Sequence, residues 1–179
     1  MGDSFVTVIA IFLAAVLMFI FPLMSMADRT DDVSTLAVQT ATTEFVDKIR
    51  TTGKLTLDDY DKYISTISST GNTFDVVIEL QELDENPGVK TTQADKTKIG
   101  ENLYYTKYTT QVVDMLTEPG KNGKIYLKEG DRISVIAKNT NQTISQILKN
   151  FFYQIAGNDT YNIVAQHGGI VTVNGTSKK

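Results

Sequence analysis

The 179-residue sequence predicts an α+β protein. One long N-terminal helix, transmembrane at its start and amphipathic at its end, leads into a small, mostly antiparallel sheet with packed helices. Three observations carry this prediction. Phe5 to Met26 contains no charged residue. Val38, Ala41, Phe45 and Ile49 then recur at three- and four-residue spacing, the period of an amphipathic helix. Beyond Gly53, helical and alternating stretches follow one another irregularly. Irregular order favours an antiparallel sheet with helices on one face over a doubly wound parallel sheet.

Composition narrows the chemistry. The size fits one domain with an appendage, and 41% hydrophobic against 21% charged residues is not the balance of a disordered chain. With 17 Lys and Arg against 21 Asp and Glu, the net charge of −4 opposes nucleic-acid binding, which needs a basic face against phosphates. The absence of cysteine removes disulfide frameworks, thiol catalysis and Cys-ligated zinc. The single histidine removes every multi-histidine metal site.

The elements follow in order. As a helix, Phe5 to Met26 would span ~33 Å, enough for a bilayer core. No basic segment precedes it, the run is longer than a signal-peptide core, and Ser25-Met26-Ala27 only approximates a cleavage site. Residues 1–27 are therefore expected to form a retained transmembrane helix, with Pro22 tolerated near its end. Met1 to Ser4 carry no Lys or Arg, and Asp28-Arg29-Thr30-Asp31-Asp32 lie on the far side, so positive charge barely sets the orientation. The expected arrangement is a single-pass membrane protein, N-terminus inside and large domain outside, because four residues are too few for a useful cytoplasmic part. Residues 28–55 continue the helix to about Thr52, with Gly53 as its C′ residue.

Residues 56–179 form the expected extracellular head. Thr56 reads as an N-cap, followed by Asp58, Asp59 and Asp61, which the helix dipole favours; capping explains these acids more simply than calcium. Leu57, Tyr60, Ile64 and Ile67 form one stripe, closed by Gly71. Phe74, Val76, Ile78 and Leu80 alternate as a half-buried strand. Asp84-Glu85-Asn86-Pro87-Gly88 is a turn, and Val89 to Gly100 a polar loop. Tyr105, Tyr108, Val112 and Leu116 suggest a helix over 102–118, while the tyrosines and threonines of Leu103 to Thr110 also suit a strand. Ile125-Tyr126-Leu127 and Arg132 to Lys138 are expected strands. Thr143 caps a helix carrying Ile144, Ile147, Leu148, Phe151, Phe152 and Ile155. Strands Ile163 to His167 and Ile170 to Asn174 flank Gly168-Gly169 as a hairpin turn, and Gly175 to Lys179 is a loose tail.

Candidate chemistry is sparse. His167 would need an orienting acid and a nucleophile to act as a base, and no G-x-S-x-G, phosphate-loop or dinucleotide motif accompanies it. Sequons occur at Asn141, Asn158 and Asn174. The acids at 28–32 and 84–85 lack EF-hand spacing. The tyrosines at 104, 105, 108, 126, 153 and 161 read as core and sheet packing before a sticky surface. No enzymatic role, cofactor or metal is expected. The functional feature is architectural: an apolar helix running into an amphipathic one that carries a head is how a helix-core filament subunit is built, its apolar half resting in the membrane until it packs against copies of itself.

That layout resembles type IV pilin-like proteins, and most narrowly the minor pseudopilins of tight-adherence (Tad) pilus systems of Gram-positive bacteria. The resemblance rests on the helix end Thr42-Thr43-Glu44-Phe45-Val46-Asp47-Lys48-Ile49-Arg50-Thr51-Thr52-Gly53-Lys54 and on Leu57-Asp58-Asp59-Tyr60-Asp61. It also rests on Gly71-Asn72-Thr73-Phe74-Asp75-Val76, Asp84 to Gly88, Leu127-Lys128-Glu129-Gly130-Asp131 and Val135 to Thr143, reaching across most of residues 1–155. It implies a structural role at the cell surface rather than a reaction. The implied partners are the lipid bilayer, other pilin-like subunits and their assembly platform. Type IV prepilins are cut after a glycine and carry a glutamate at the fifth mature position. Here the candidate processing site is Gly2-Asp3, and cutting there makes Thr7 the fifth residue. A threonine cannot make the glutamate's ion pair to a neighbouring amino terminus, which favours an initiating, capping or accessory role over the major subunit. The expected helix-core assembly surface is Phe5, Ile9, Phe12, Val16, Phe19 and Leu23. The alternative is a signal-anchored extracellular binding module whose helix is only a tether.

Overall fold

The helix propensity of residues 2–52 is interrupted only by Pro22, and the chain forms one unbroken helix, α1 (Gly2–Thr52), ~77 Å long. The structure is a computed structural model describing residues 2–84, 97, 104–120, 122–147 and 164–176, with the side chains of Gly2 and Asp3 excepted. The acidic stretch Asp28 to Asp32 does not break α1. Thr30, Thr35 and Thr42 turn their hydroxyls back onto the carbonyls of Met26, Asp31 and Val38 at 3.0, 2.8 and 2.7 Å, so these polar side chains stay compatible with the helix.

Gly53 ends α1 at φ +65°, its N–H donating to the Ile49 carbonyl at 2.9 Å. The left-handed conformation requires glycine, and so does the space: a Cβ here would lie 2.3 Å from the Gly175 nitrogen. The chain then forms β1 (Lys54–Thr56), α2 (Leu57–Ser68), β2 (Phe74–Leu83), β3 (Tyr104–Tyr108), α3 (Thr109–Thr117), β4 (Lys124–Tyr126), β5 (Arg132–Asn139) and β6 (Val164–Ile170). The strands β1 and β4 pair as one antiparallel ribbon, and the order β3-β2-β5-β6 makes a second, wholly antiparallel sheet.

Period-two alternation places Ile78 and Leu80 of β2, Ile133, Val135 and Ala137 of β5, and Ala165 of β6 on one face of that sheet. The second half of α1 lies across this face and buries Val38, Phe45, Val46 and Ile49 in the same cluster. The helix α2 packs on α1, with the Tyr63 ring stacked on Phe45 at 4.5 Å between centroids.

Several expectations need correction. Gly168-Gly169 is not a hairpin turn: β6 runs straight through it, with Gly168 opposite Ser134 and Gly169 opposite Ile133. The glycines serve close approach, since a Cβ on Gly168 would sit 2.9 Å from the Ile133 carbonyl oxygen and one on Gly169 2.5 Å from Arg50 Nε. Of the expected strand Ile170 to Asn174, Ile170 is the last residue of β6 and Val171 to Asn174 form no strand. The Val171 and Thr172 N–H groups donate to the carbonyls of Asp131 (2.7 Å) and Arg50 (3.0 Å). Gly175, expected in a loose tail, donates to the Leu127 carbonyl at 2.8 Å. The open choice over residues 102–118 resolves into both forms, strand then helix. Thr109 makes the switch: its hydroxyl accepts from the Ile78 N–H at 2.7 Å and donates to the Val76 carbonyl at 3.2 Å, replacing the ladder where β3 stops. The strand expected at 125–127 is shifted to Lys124–Tyr126. Glu85 to Gly88, nearly all of Val89 to Gly100, the last expected helix from 148 to its end at Gly157, Ile163 of the strand expected after it, Asn158, Tyr153 and Tyr161 lie outside the described residues.

Candidate assembly surface and neck

The free half of α1 is apolar on every side. Of the expected assembly residues, Phe5, Phe12 and Phe19 are 68%, 69% and 75% exposed, Ile9 and Leu23 are also exposed, and Val16 is half-buried. Val6, Ile11, Leu13, Met18 and Phe21, on the other sides of the helix, are exposed as well. The surface is therefore wider than the single expected stripe. The run is long and apolar enough to cross a membrane once, and none of it is buried against the head. Exposed apolar residues continue past Met26 to Val33 and Leu36, on the side of α1 away from the head.

The first residue of α1 that the head buries is Ser34. Below it, the neck is polar. Asp31 accepts a hydrogen bond from the Thr143 hydroxyl at 2.6 Å, and Asp28 accepts one from Ser145. The sequence reading missed this contact. Its signal was available: carboxylates three residues apart on a helix share a face, directly after an apolar run.

The far end of α1 is tied to β6 by side-chain hydrogen bonds. His167 on β6 lies 3.2 Å from the Asp47 carboxylate, and Arg50 reaches the same oxygen at 2.8 Å while also donating to the Ile170 carbonyl at 3.1 Å. The His167 hydrogen bond above all, with Arg50 adding to it, holds the Asp47 carboxyl below its usual range against desolvation, which works the other way. His167 is thus a tether between α1 and β6. The α2 acids sit as the cap requires: Asp59 N–H donates to Thr56 Oγ1 at 3.1 Å, and the Asp59 carboxylate accepts from Thr56 and pairs with Lys48. Burial raises the Asp59 carboxyl, but Lys48 and Thr56 outweigh it and leave it lowered. Burial also pushes the Tyr63 phenol up, although its contact with the Thr42 hydroxyl at 3.0 Å works the other way.

The other candidates are structural links. Asn141 accepts from the Thr73 N–H at 2.8 Å and donates to Asn72 at 3.1 Å, and Asn174 accepts from the Glu129 N–H at 2.8 Å. The buried Asp131 carboxylate accepts the N–H groups of Leu83 and Lys128 at 2.9 and 2.7 Å. Tyr105, Tyr108 and Tyr126 are exposed, contrary to the packing expectation, and Tyr104 lies under the Arg132 guanidinium at 4.4 Å. Among the described residues no group of three or more His, Asp or Glu side chains is placed to hold a metal ion. The chain matches no protein-family model, no curated protein and no solved structure.

Proposed function

We propose that the chain is a membrane-anchored, pilin-like structural subunit of an extracellular filament or of its assembly machinery, of the minor pseudopilin kind. The observation that carries this reading is the continuity of α1 from Gly2 to Thr52, with its first half bare and its second half bearing the sheet. A flexible tether would need no rigid passage through Asp28 to Asp32. A helix apolar on all sides needs apolar surroundings on all sides, which a bilayer supplies first and copies of the same helix supply afterwards. In this reading the head lies outside the cell, and Thr7 at the fifth position after Gly2 suits an initiating or accessory place over the bulk of the fibre.

The test is the location and N-terminus of the full-length protein in membranes and in sheared surface material. A chain beginning at Asp3 and recovered with sheared fibres supports the reading. A chain recovered only as a dispersed membrane monomer overturns it in favour of the tethered binding module. A chain beginning near Ala27 would show that the apolar run is removed.

A further inference from the structure

The neck contacts set a direction as well as a position. Thr143 binds Asp31 at 2.6 Å and Ser145 binds Asp28, so from 143 to 145 the chain descends α1 toward its apolar run. The two acids are ~4.5 Å apart along the helix axis. The descent is rigid. Gln146 N–H donates to Thr143 Oγ1 at 3.2 Å and Thr143 N–H to Gln146 Oε1 at 3.0 Å, a reciprocal cap. The Ile147 N–H closes the turn on the Thr143 carbonyl at 2.9 Å.

This turn is built inside out for water. Thr143, Ser145 and Gln146 are buried, whereas Ile144 and Ile147 are 66% and 53% exposed. Exposed single apolar residues elsewhere on the head need no explanation. These two differ in their place, because Ser145 is held to Asp28, two residues or ~3 Å beyond Met26. A bilayer whose apolar core ends near Met26 has an interfacial layer roughly 5–7.5 Å deep on each side, which covers the level of Asp28, ~3 Å out, and has Asp31, ~7.5 Å out, at its outer edge.

We propose that the turn 144–147 is a second membrane contact, in which Ile144 and Ile147 enter the interfacial layer of the bilayer that Phe5 to Met26 spans. The contact rests on the reading of α1 as a membrane helix. It fixes the tilt of the head on the membrane, as apolar side chains lodged at the headgroup boundary do. The hydroxyls of Thr143 and Ser145 hydrogen-bond the two neck carboxylates at that level.

The chain has no cysteine, so single-cysteine variants report single sites. Full-length Phe12→Cys, Ile147→Cys and Lys54→Cys, each carrying an environment-sensitive fluorophore, are placed in phosphatidylcholine–phosphatidylglycerol vesicles with nitroxides at the headgroup or deep in the acyl chain. Lys54 follows the far end of α1, ~36 Å from the neck, and reports the distal head. The expected result is deep quenching at Phe12→Cys and headgroup quenching at Ile147→Cys several-fold above that at Lys54→Cys. If Phe12→Cys is quenched and Ile147→Cys matches Lys54→Cys, the turn faces water and the contact is overturned while the span stands. Blue-shifted but unquenched emission at Ile147→Cys means a protein covers the turn, which also overturns it. No quenching at Phe12→Cys overturns the membrane span, and the contact with it.

Discussion

Residues 5–26 and 34–52 belong to one helix, yet they meet two different surroundings. In the docked half, burial follows a stripe through Ser34, Val38, Ala41, Thr42, Phe45, Val46 and Ile49, while Glu44 and Lys48 face out. In the free half no stripe exists, because Phe5, Val6, Ile11, Phe12, Met18 and Phe21 cover every side and all are exposed. Helix formation is common to both and separates nothing. What separates them is the arc of apolar surface: a stripe specifies one neighbour, and a full circle specifies an apolar medium. The strongest test truncates one apolar side chain in each half. Ile49→Ala empties a fully buried site and is expected to cost the head ~2–5 kcal/mol in denaturant unfolding followed by tyrosine fluorescence in mild detergent. Phe12→Ala is expected to leave that transition within ~0.5 kcal/mol. Equal losses from the two variants would mean the halves are not independent.

The free half can be broken in its own terms. Val16→Asp is expected to cost ~2.5–3.5 kcal/mol of membrane insertion, read as loss from the membrane fraction, with the head transition unchanged. An unchanged membrane fraction would mean that the run does not lie in lipid.

The comparison also explains what could be read from sequence. Both halves of α1 were legible because hydropathy and the 3.6-residue period are local. So were Gly53, the Thr56 cap and the alternation of β2 and β5. The switch at Thr109 was not, because the residues that decide it, Val76 and Ile78, are some thirty positions away and lend their backbone groups to one hydroxyl. Gly168-Gly169 misled for a related reason. A glycine pair permits a turn, but here it admits Arg50 from α1 and the Ile133 carbonyl from β5, both distant in sequence. The neck followed the same rule: Asp28 and Asp31 are visible as a face, but Thr143 and Ser145 are 112 and 117 residues away.

The junction that ends the docked half gives the next effect. Gly53→Ala forces φ +65° on a residue with a Cβ and drives that atom into the Gly175 backbone. The expected loss is at least ~2 kcal/mol, with no change in membrane insertion. A milder loss would mean that the Gly175 segment can move aside.

Smaller again is Thr56→Ala, at ~1 kcal/mol for the lost cap. It also carries a pH signature. Asp59 is lowered in the folded state, so its contribution is full above the ordinary carboxyl value and is lost as pH falls through the lower folded value. Removing the Thr56 hydroxyl raises the folded value, so the acid unfolding midpoint should move to higher pH. A midpoint that stays fixed would leave Lys48 as the sole source of the shift.

The smallest expected effect lies at the end of α1, where polar contacts add to the packing of the helix on β6. Asp47 is 46% exposed and His167 32%, so solvent screens the pair and His167→Ala should cost well under about 1 kcal/mol. Stability is a poor readout for it, and the carboxyl titration is a good one. Asp47 is held low first by His167 and then by Arg50. Its contribution is present above the ordinary carboxyl value and fades as pH falls through the lowered one. Followed by carboxyl-carbon NMR, His167→Ala should shift the Asp47 titration upward, but only part of the way, because Arg50 still binds the same oxygen at 2.8 Å. Salt should shrink the difference. An unmoved titration would mean that His167 does not reach Asp47, leaving Arg50 as the polar side-chain link from this end of α1 to β6.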